Sequence, residues 1–203
     1  MQAHERSLPA LAVKTDDWFK RANAALLSQV PCHAGCSYCC IGPFPITQLD
    51  VSLLQEGLQR LTPDRRAYIE GRAAEQVSAL ESAQPILKES PYLDRWPDSA
   101  IDRLVNEFHD YPCPALDEDG LCTLYEHRPL ICRSMGIPTE EKGVVRGACE
   151  VQTFVPIIRL SGALRAEEDV LSKQEAQTLD AYNSLTGNEC EELLLPYGLL
   201  HQE

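Results

Sequence analysis

The chain has 203 residues, a length that suits one globular domain with room for a core. At 44% hydrophobic and 24% charged residues its composition is that of an ordinary soluble protein, which argues against disorder and against a membrane-embedded chain. A net charge of −13 without any block of Lys and Arg argues against DNA, RNA or an anionic membrane as the main ligand, because phosphate binding draws on clustered cations.

No export signal is read at the start of the chain: the apolar stretch Leu8 to Val13 is short, is broken at Pro9, and runs into Asp16-Asp17. Over 16–28, Trp18, Phe19, Ala22, Ala25 and Leu26 fall at helical spacing, with Thr15 as the expected N-cap. A cysteine-bearing loop over 30–45 follows. Thr47 then reads as an N-cap, with Asp50 at the capping-box position and Ile46 as half of a hydrophobic staple, opening a helix that runs to about Arg60. Thr62-Pro63 starts another, with Pro at its first position and Tyr68, Val77 and Leu80 along a mostly polar stretch to about Ala83. Pro85, Pro91 and Pro97 interrupt the chain before Ile101, Leu104, Val105 and Phe108 give a further amphipathic helix.

The next segment, 112–149, is loop-like and rich in cysteine. Within it Asp117-Glu118-Asp119-Gly120 reads as a tight turn joining short strands at Ala115-Leu116 and Leu121-Cys122, and Val144-Val145 reads as another strand. Helical pattern returns over 165–185, where Glu167, Glu168 and Asp169 occupy the first turn that the helix dipole favours for acids. The expected fold class is mainly α: helices flank two cysteine-rich loops that converge on a metal centre, with at most a small β-hairpin. One cysteine-cluster domain is expected over 1–203, its core over 15–160 and a helical extension over 161–203.

Nine cysteines are not scattered at random. Cys32, Cys36, Cys39 and Cys40 form one group, Cys113, Cys122, Cys132 and Cys149 a second, and Cys190 stands alone. An odd count and the missing export signal place the protein in a reducing cytoplasm, where clustered thiols serve as metal ligands more often than as disulfides. An all-sulfur donor set favours zinc or an iron–sulfur cluster over magnesium, calcium or manganese. Four thiolates satisfy a tetrahedral zinc or a cubane cluster equally, so the count leaves both open. Cys39 and Cys40 are not expected to face the same atom, because adjacent side chains diverge in most backbone conformations.

Two ordered motifs then carry a resemblance. The run Cys32-His-Ala-Gly-Cys36-Ser-Tyr-Cys39-Cys40, with Ile46-Thr47 and Asp50 after it, is followed by Cys113-Pro114-x-Leu116 and by Gly120-x-Cys122-x-x-Tyr125-x-x-Arg128-Pro129-x-x-Cys132-Arg133. Together they resemble the YkgJ-like cysteine-cluster family, described as a zinc- or iron-chelating domain. The resemblance spans Cys32 to Cys149 and implies that all eight of those cysteines are metal ligands. Cys149 departs from the pattern in preceding Glu150 where Pro is expected, which makes it the least secure ligand. The spacing of Cys32, Cys36 and Cys39 is also similar to that of radical S-adenosylmethionine enzymes. Those place the motif after the first strand of a parallel barrel, whereas helix precedes and follows it in this chain.

Arg128 and Arg133 flank Cys132 and are read as cofactor-binding, offsetting thiolate charge or gripping an anion through bidentate hydrogen bonds. Tyr125 is read as a packing residue with a bonded hydroxyl. His33, His109 and His127 are reserve zinc ligands, and the acidic turn lacks the spaced ligands of a calcium loop. The function expected is a metal-binding protein holding an iron–sulfur cluster, with 4Fe-4S as the favoured type, or zinc. A redox or protein-modifying activity is one reading of such a centre, with an unidentified protein or small molecule as partner, and whether the chain is an enzyme at all is left open by the sequence. The alternative is a non-enzymatic zinc module that serves protein–protein interaction.

Overall fold

A computed structural model describes residues 4–26, 35–141, 144–146, 160–187 and 192–201. The fold is mainly helical, as expected. The described chain gathers into two compact units, one made of 1–39 with 130–185 and the other of 40–129 with 186–203.

In the first unit α1 (His4–Ala25) begins well before Thr15, which is no N-cap; its hydroxyl donates to Leu11 O one turn back, at 3.0 Å. The reason lies in the buried stripe. Leu8, Leu11, Ala12, Thr15, Trp18, Ala22 and Leu26 are buried at helical spacing, so the packing face continues through Pro9. Pro9 lies near the helix start and removes one backbone hydrogen bond there. The short helix α5 (Leu130–Ser134) packs on α1, and the long α6 (Gly162–Thr186) runs antiparallel to it. Side-chain contacts set that direction. Lys14 meets Gln174, Trp18 Nε1 donates to Leu164 O at 2.9 Å, and Arg21 pairs with Glu167 at 2.6 Å. Trp18, Ala22, Leu26, Ile137 and Leu160 form the core of this unit. The strand expected at Val144-Val145 is β3 (Val144–Arg146), paired in a hairpin with β2 (Thr139–Glu141).

In the second unit the capping box forms as the sequence dictates: Thr47 N–H donates to Asp50 Oδ2 at 3.1 Å and Asp50 N–H to Thr47 Oγ1 at 3.3 Å. It opens α2 (Gln48–Arg60), and Ile46 packs in one core cluster with Val51 as a staple should. Pro63 opens α3 (Pro63–Ala83), whose buried stripe is Ile69, Ala73, Gln76 and Leu80. Tyr68 is exposed instead, so the face that packs is rotated from the one expected. α4 (Asp98–Glu107) follows. The C-terminal segment, unanticipated, supplies β4 (Glu192–Leu194) and α7 (Leu195–Leu200). β4 pairs antiparallel with β1 (Pro45–Thr47), Ile46 opposite Leu193, and α7 packs on α2 and α3. Gly198 allows this approach, since a Cβ there would lie 2.7 Å from Ile46 Cδ1.

Candidate metal centre

Cys32, Cys149 and Cys190, together with His33, lie outside the described residues. The remaining six cysteines are thiols rather than halves of a disulfide. Their chemistry fits zinc or iron, both of which take thiolate sulfur. Among the described residues, no group of three or more His, Cys, Asp or Glu side chains converges to hold a metal ion.

The first unit holds Cys36, Cys39 and Cys132. Gly35, at φ +86°, turns the backbone immediately before Cys36, a conformation that L side chains rarely adopt. Cys132 rides on α5, and this single helical turn is pinned from both sides of it. Leu130 is buried, and Arg133, only 4% exposed, pairs through Nη1 with Asp16 Oδ2 on α1. Gly136, at φ +105°, then redirects the chain so that Ile137 enters the Trp18 core. Arg133 is thus bonded to α1.

The second unit holds Cys40, Cys113 and Cys122. Cys113 N–H donates to Cys40 O at 2.7 Å, which ties the end of the first motif to the start of the second. One face of α3 grips the same loop. Arg72 Nη1 donates to Leu116 O at 2.6 Å and to Pro114 O at 3.2 Å, and the buried Gln76 donates to Pro112 O at 2.7 Å. Neither residue was singled out by the sequence reading. The available signal was Gln76 itself, a polar side chain at a core position of the α3 stripe, which must find a hydrogen bond there.

Beyond Cys113 the expected turn closes. Asp117 Oδ1 accepts from Leu121 N–H at 2.8 Å and Asp119 N–H at 3.0 Å, Gly120 sits at φ +76°, and Leu116 bridges Cys122. The two flanking strands reduce to that one bridge. Downstream, Tyr125 is exposed rather than packed, and the Arg128 guanidinium lies 3.9 Å over its ring while donating to Tyr125 O at 2.7 Å. His127 lies 3.9 Å from Glu56, and exposed His109 bonds Asn106 O through Nδ1 at 2.8 Å.

The comparisons with known proteins add a family. Residues 31–150 match the family CxxCxxCC, described as "Putative zinc- or iron-chelating domain". That span takes in all eight clustered cysteines and leaves out Cys190. No curated protein and no solved structure matches the chain. No helix of the described residues is long and apolar enough to cross a membrane.

Proposed function

The chain belongs to the CxxCxxCC family, and from that premise we propose that it is a metal protein whose centre is held by Cys32, Cys36, Cys39 and Cys132. The observation that carries this reading is the sorting of the described thiols. Cys36, Cys39 and Cys132 fall in one compact unit, whereas Cys40, Cys113 and Cys122 fall in the other. Cys32, in the same motif as Cys36 and Cys39, brings the ligand count to four. Four thiolates suit a 4Fe-4S cluster or a tetrahedral zinc. We favour the cluster, because Cys32, Cys36 and Cys39 lie at a spacing that lets one loop offer three thiolates to it. Bound there, a cluster supplies one-electron chemistry and zinc a fixed cross-link.

The protein's own residues set the geometry. Arg133 is a positioning residue: its bond to Asp16 holds α5 on α1 and so fixes where Cys132 points. Arg128, stacked on the exposed Tyr125 ring, would be the arginine to meet an anionic ligand. Reduced thiols of this kind suit a reducing cytoplasm.

Purification without oxygen, a visible spectrum, and iron, sulfide and zinc measured per chain test the reading. A coloured protein with iron and sulfide is expected. A colourless protein with stoichiometric zinc overturns the cluster and favours a structural zinc module, zinc being a metal that the family description also names. Recovery with neither metal overturns both.

A further inference from the structure

The second unit contains a pairing that the four-ligand centre proposed above does not use. Gly42 N–H donates to Tyr111 O at 2.6 Å and Cys113 N–H to Cys40 O at 2.7 Å, one on each side of an antiparallel bridge between Ile41 and Pro112. In that register Cys40 stands opposite Cys113, and the alternation of extended backbone sends their side chains to one face. Burial agrees with this. Ile41 and Pro112 are exposed, while Cys113 is buried in the apolar core and Cys40 packs against the same cluster. Cys40 and Cys113 occupy a hydrogen-bonded position of the antiparallel pair, where Cα atoms lie about 5.5 Å apart. A disulfide spans roughly 4.4–6.8 Å. Cys122 stands opposite Leu116 rather than a cysteine, and Cys39 could meet Cys40 only through a strained vicinal ring.

We propose that Cys40 and Cys113 are a redox pair that closes to a reversible disulfide, a covalent modification site joining the first cysteine motif to the second. The inference goes beyond the metal reading, which uses neither thiol. The oxidant is a small-molecule disulfide of the glutathione class. Cys40, the more accessible of the two, gives up its proton; its thiolate attacks one sulfur of the oxidant and expels a small thiolate, leaving a mixed disulfide. Cys113 then gives up its proton and attacks the Cys40 sulfur, which forms the Cys40–Cys113 bond and expels the second small thiolate. The two protons leave with the two small thiols. Two protein thiols are oxidised and one small disulfide is reduced, so atoms and electrons balance.

The test uses the full-length protein, as purified and again after chelator treatment, incubated with oxidised glutathione and digested without reduction for tandem mass spectrometry. The expected result is a dominant Cys40–Cys113 linkage in both samples, fully reversed by dithiothreitol, with further thiols lost only in the sample whose metal ligands the chelator has released. Cys39→Ser should keep that linkage, while Cys113→Ser should stop at a glutathione adduct on Cys40. A Cys39–Cys40 ring, another dominant pair, or no loss of thiols overturns the proposal in the wild-type protein alone, whatever the variants do. A Cys40–Cys113 linkage that appears only after chelation supports the pair and overturns the four-ligand assignment above, so the two readings fail separately.

Discussion

Gly57 and Gly71 both lie inside helices, and the same substitution at each should shift stability in opposite directions. Replacing an interior helical Gly by Ala gains about 1 kcal/mol from propensity where the new methyl meets nothing. Gly71, on α3, has no other atom within 4 Å of its would-be Cβ, so Gly71→Ala keeps that gain. Gly57, on α2, is buried, and a Cβ there would sit 2.6 Å from His127 Cβ, 3.0 Å from its Cγ and 3.1 Å from Leu124 Cδ2. His127 Cβ is one bond from the backbone, so no change of rotamer moves it aside. The turn Tyr125–His127, tied by His127 N–H to Leu124 O at 2.8 Å, has to shift as a piece. Overpacking of this kind costs about 1–3 kcal/mol, which exceeds the propensity gain. Gly57→Ala should therefore be destabilising by about 1 kcal/mol and Gly71→Ala stabilising by a similar amount. At roughly 2–4 °C per kcal/mol for a chain of this size, thermal melts followed by circular dichroism resolve the difference. If Gly57→Ala raised Tm as much as Gly71→Ala, the close packing of α2 on the Tyr125–His127 turn would be refuted.

Thr47→Ala removes the capping box of α2 and should cost about 1 kcal/mol in urea unfolding, while Thr62→Ala, which loses no side-chain cap bond, should cost much less. Gln76→Leu strands the carbonyl of Pro112 beside Cys113; a loss of about 1–3 kcal/mol and faster labelling of Cys113 by a thiol reagent are expected, and unchanged values of both would show that α3 does not hold this loop. Burial, and secondarily Glu81, push the Tyr197 phenol well above its ordinary 10.0, so the folded state favours the neutral form. The stability that this gives is complete below the unfolded value near 10.0 and is lost as pH climbs past it, so Tyr197→Phe should flatten the alkaline loss. Because that hydroxyl is buried without a hydrogen-bond partner among the described residues, the same variant should be neutral or better at pH 7; a clear loss there would reveal a partner. Cys36→Ala should lose metal and melt earlier, whereas Cys190→Ala should change neither, and equal effects in a metal assay would mean that the cysteines have been sorted wrongly.

Local signals were the legible part of this fold. Thr47 with Asp50, Pro63 at a helix start, and Asp117 to Gly120 each act within a few residues, and each forms where the sequence places it. What the sequence hid depends on distant partners. Leu8 and Leu11 read as a broken apolar fragment, yet both are buried, α1 packs on α5, and the helix continues through Pro9. β4 is three residues long, and nothing in Glu192-Leu193-Leu194 announces that Pro45 to Thr47 pairs with it. Tertiary packing overrides propensity in the same way on α3, where aromatic Tyr68 stays exposed and polar Gln76 is buried because a backbone carbonyl awaits it. The eight clustered cysteines stand out by residue type and spacing, and the family match covers them, whereas Asp16, Arg72 and Gln76, which bond Arg133 and the 112–116 loop, lie far away in sequence and carry no motif.

The vicinal pair shows how much that orientation matters. Cys39 ends one compact unit and Cys40 begins the other, so the peptide bond joining them is a boundary in the fold. Adjacent side chains diverge in most backbone conformations. Cys39 lies in the unit that also holds Cys36 and Cys132, while Cys40 is set opposite Cys113 by backbone hydrogen bonds that need no metal to form. A motif that reads as a single ligand cluster along the chain thus spans two compact units. The doubled cysteine is the position at which chelation and thiol oxidation can be separated by experiment, because Cys39→Ser should weaken the first and spare the second, and Cys40→Ser should do the reverse.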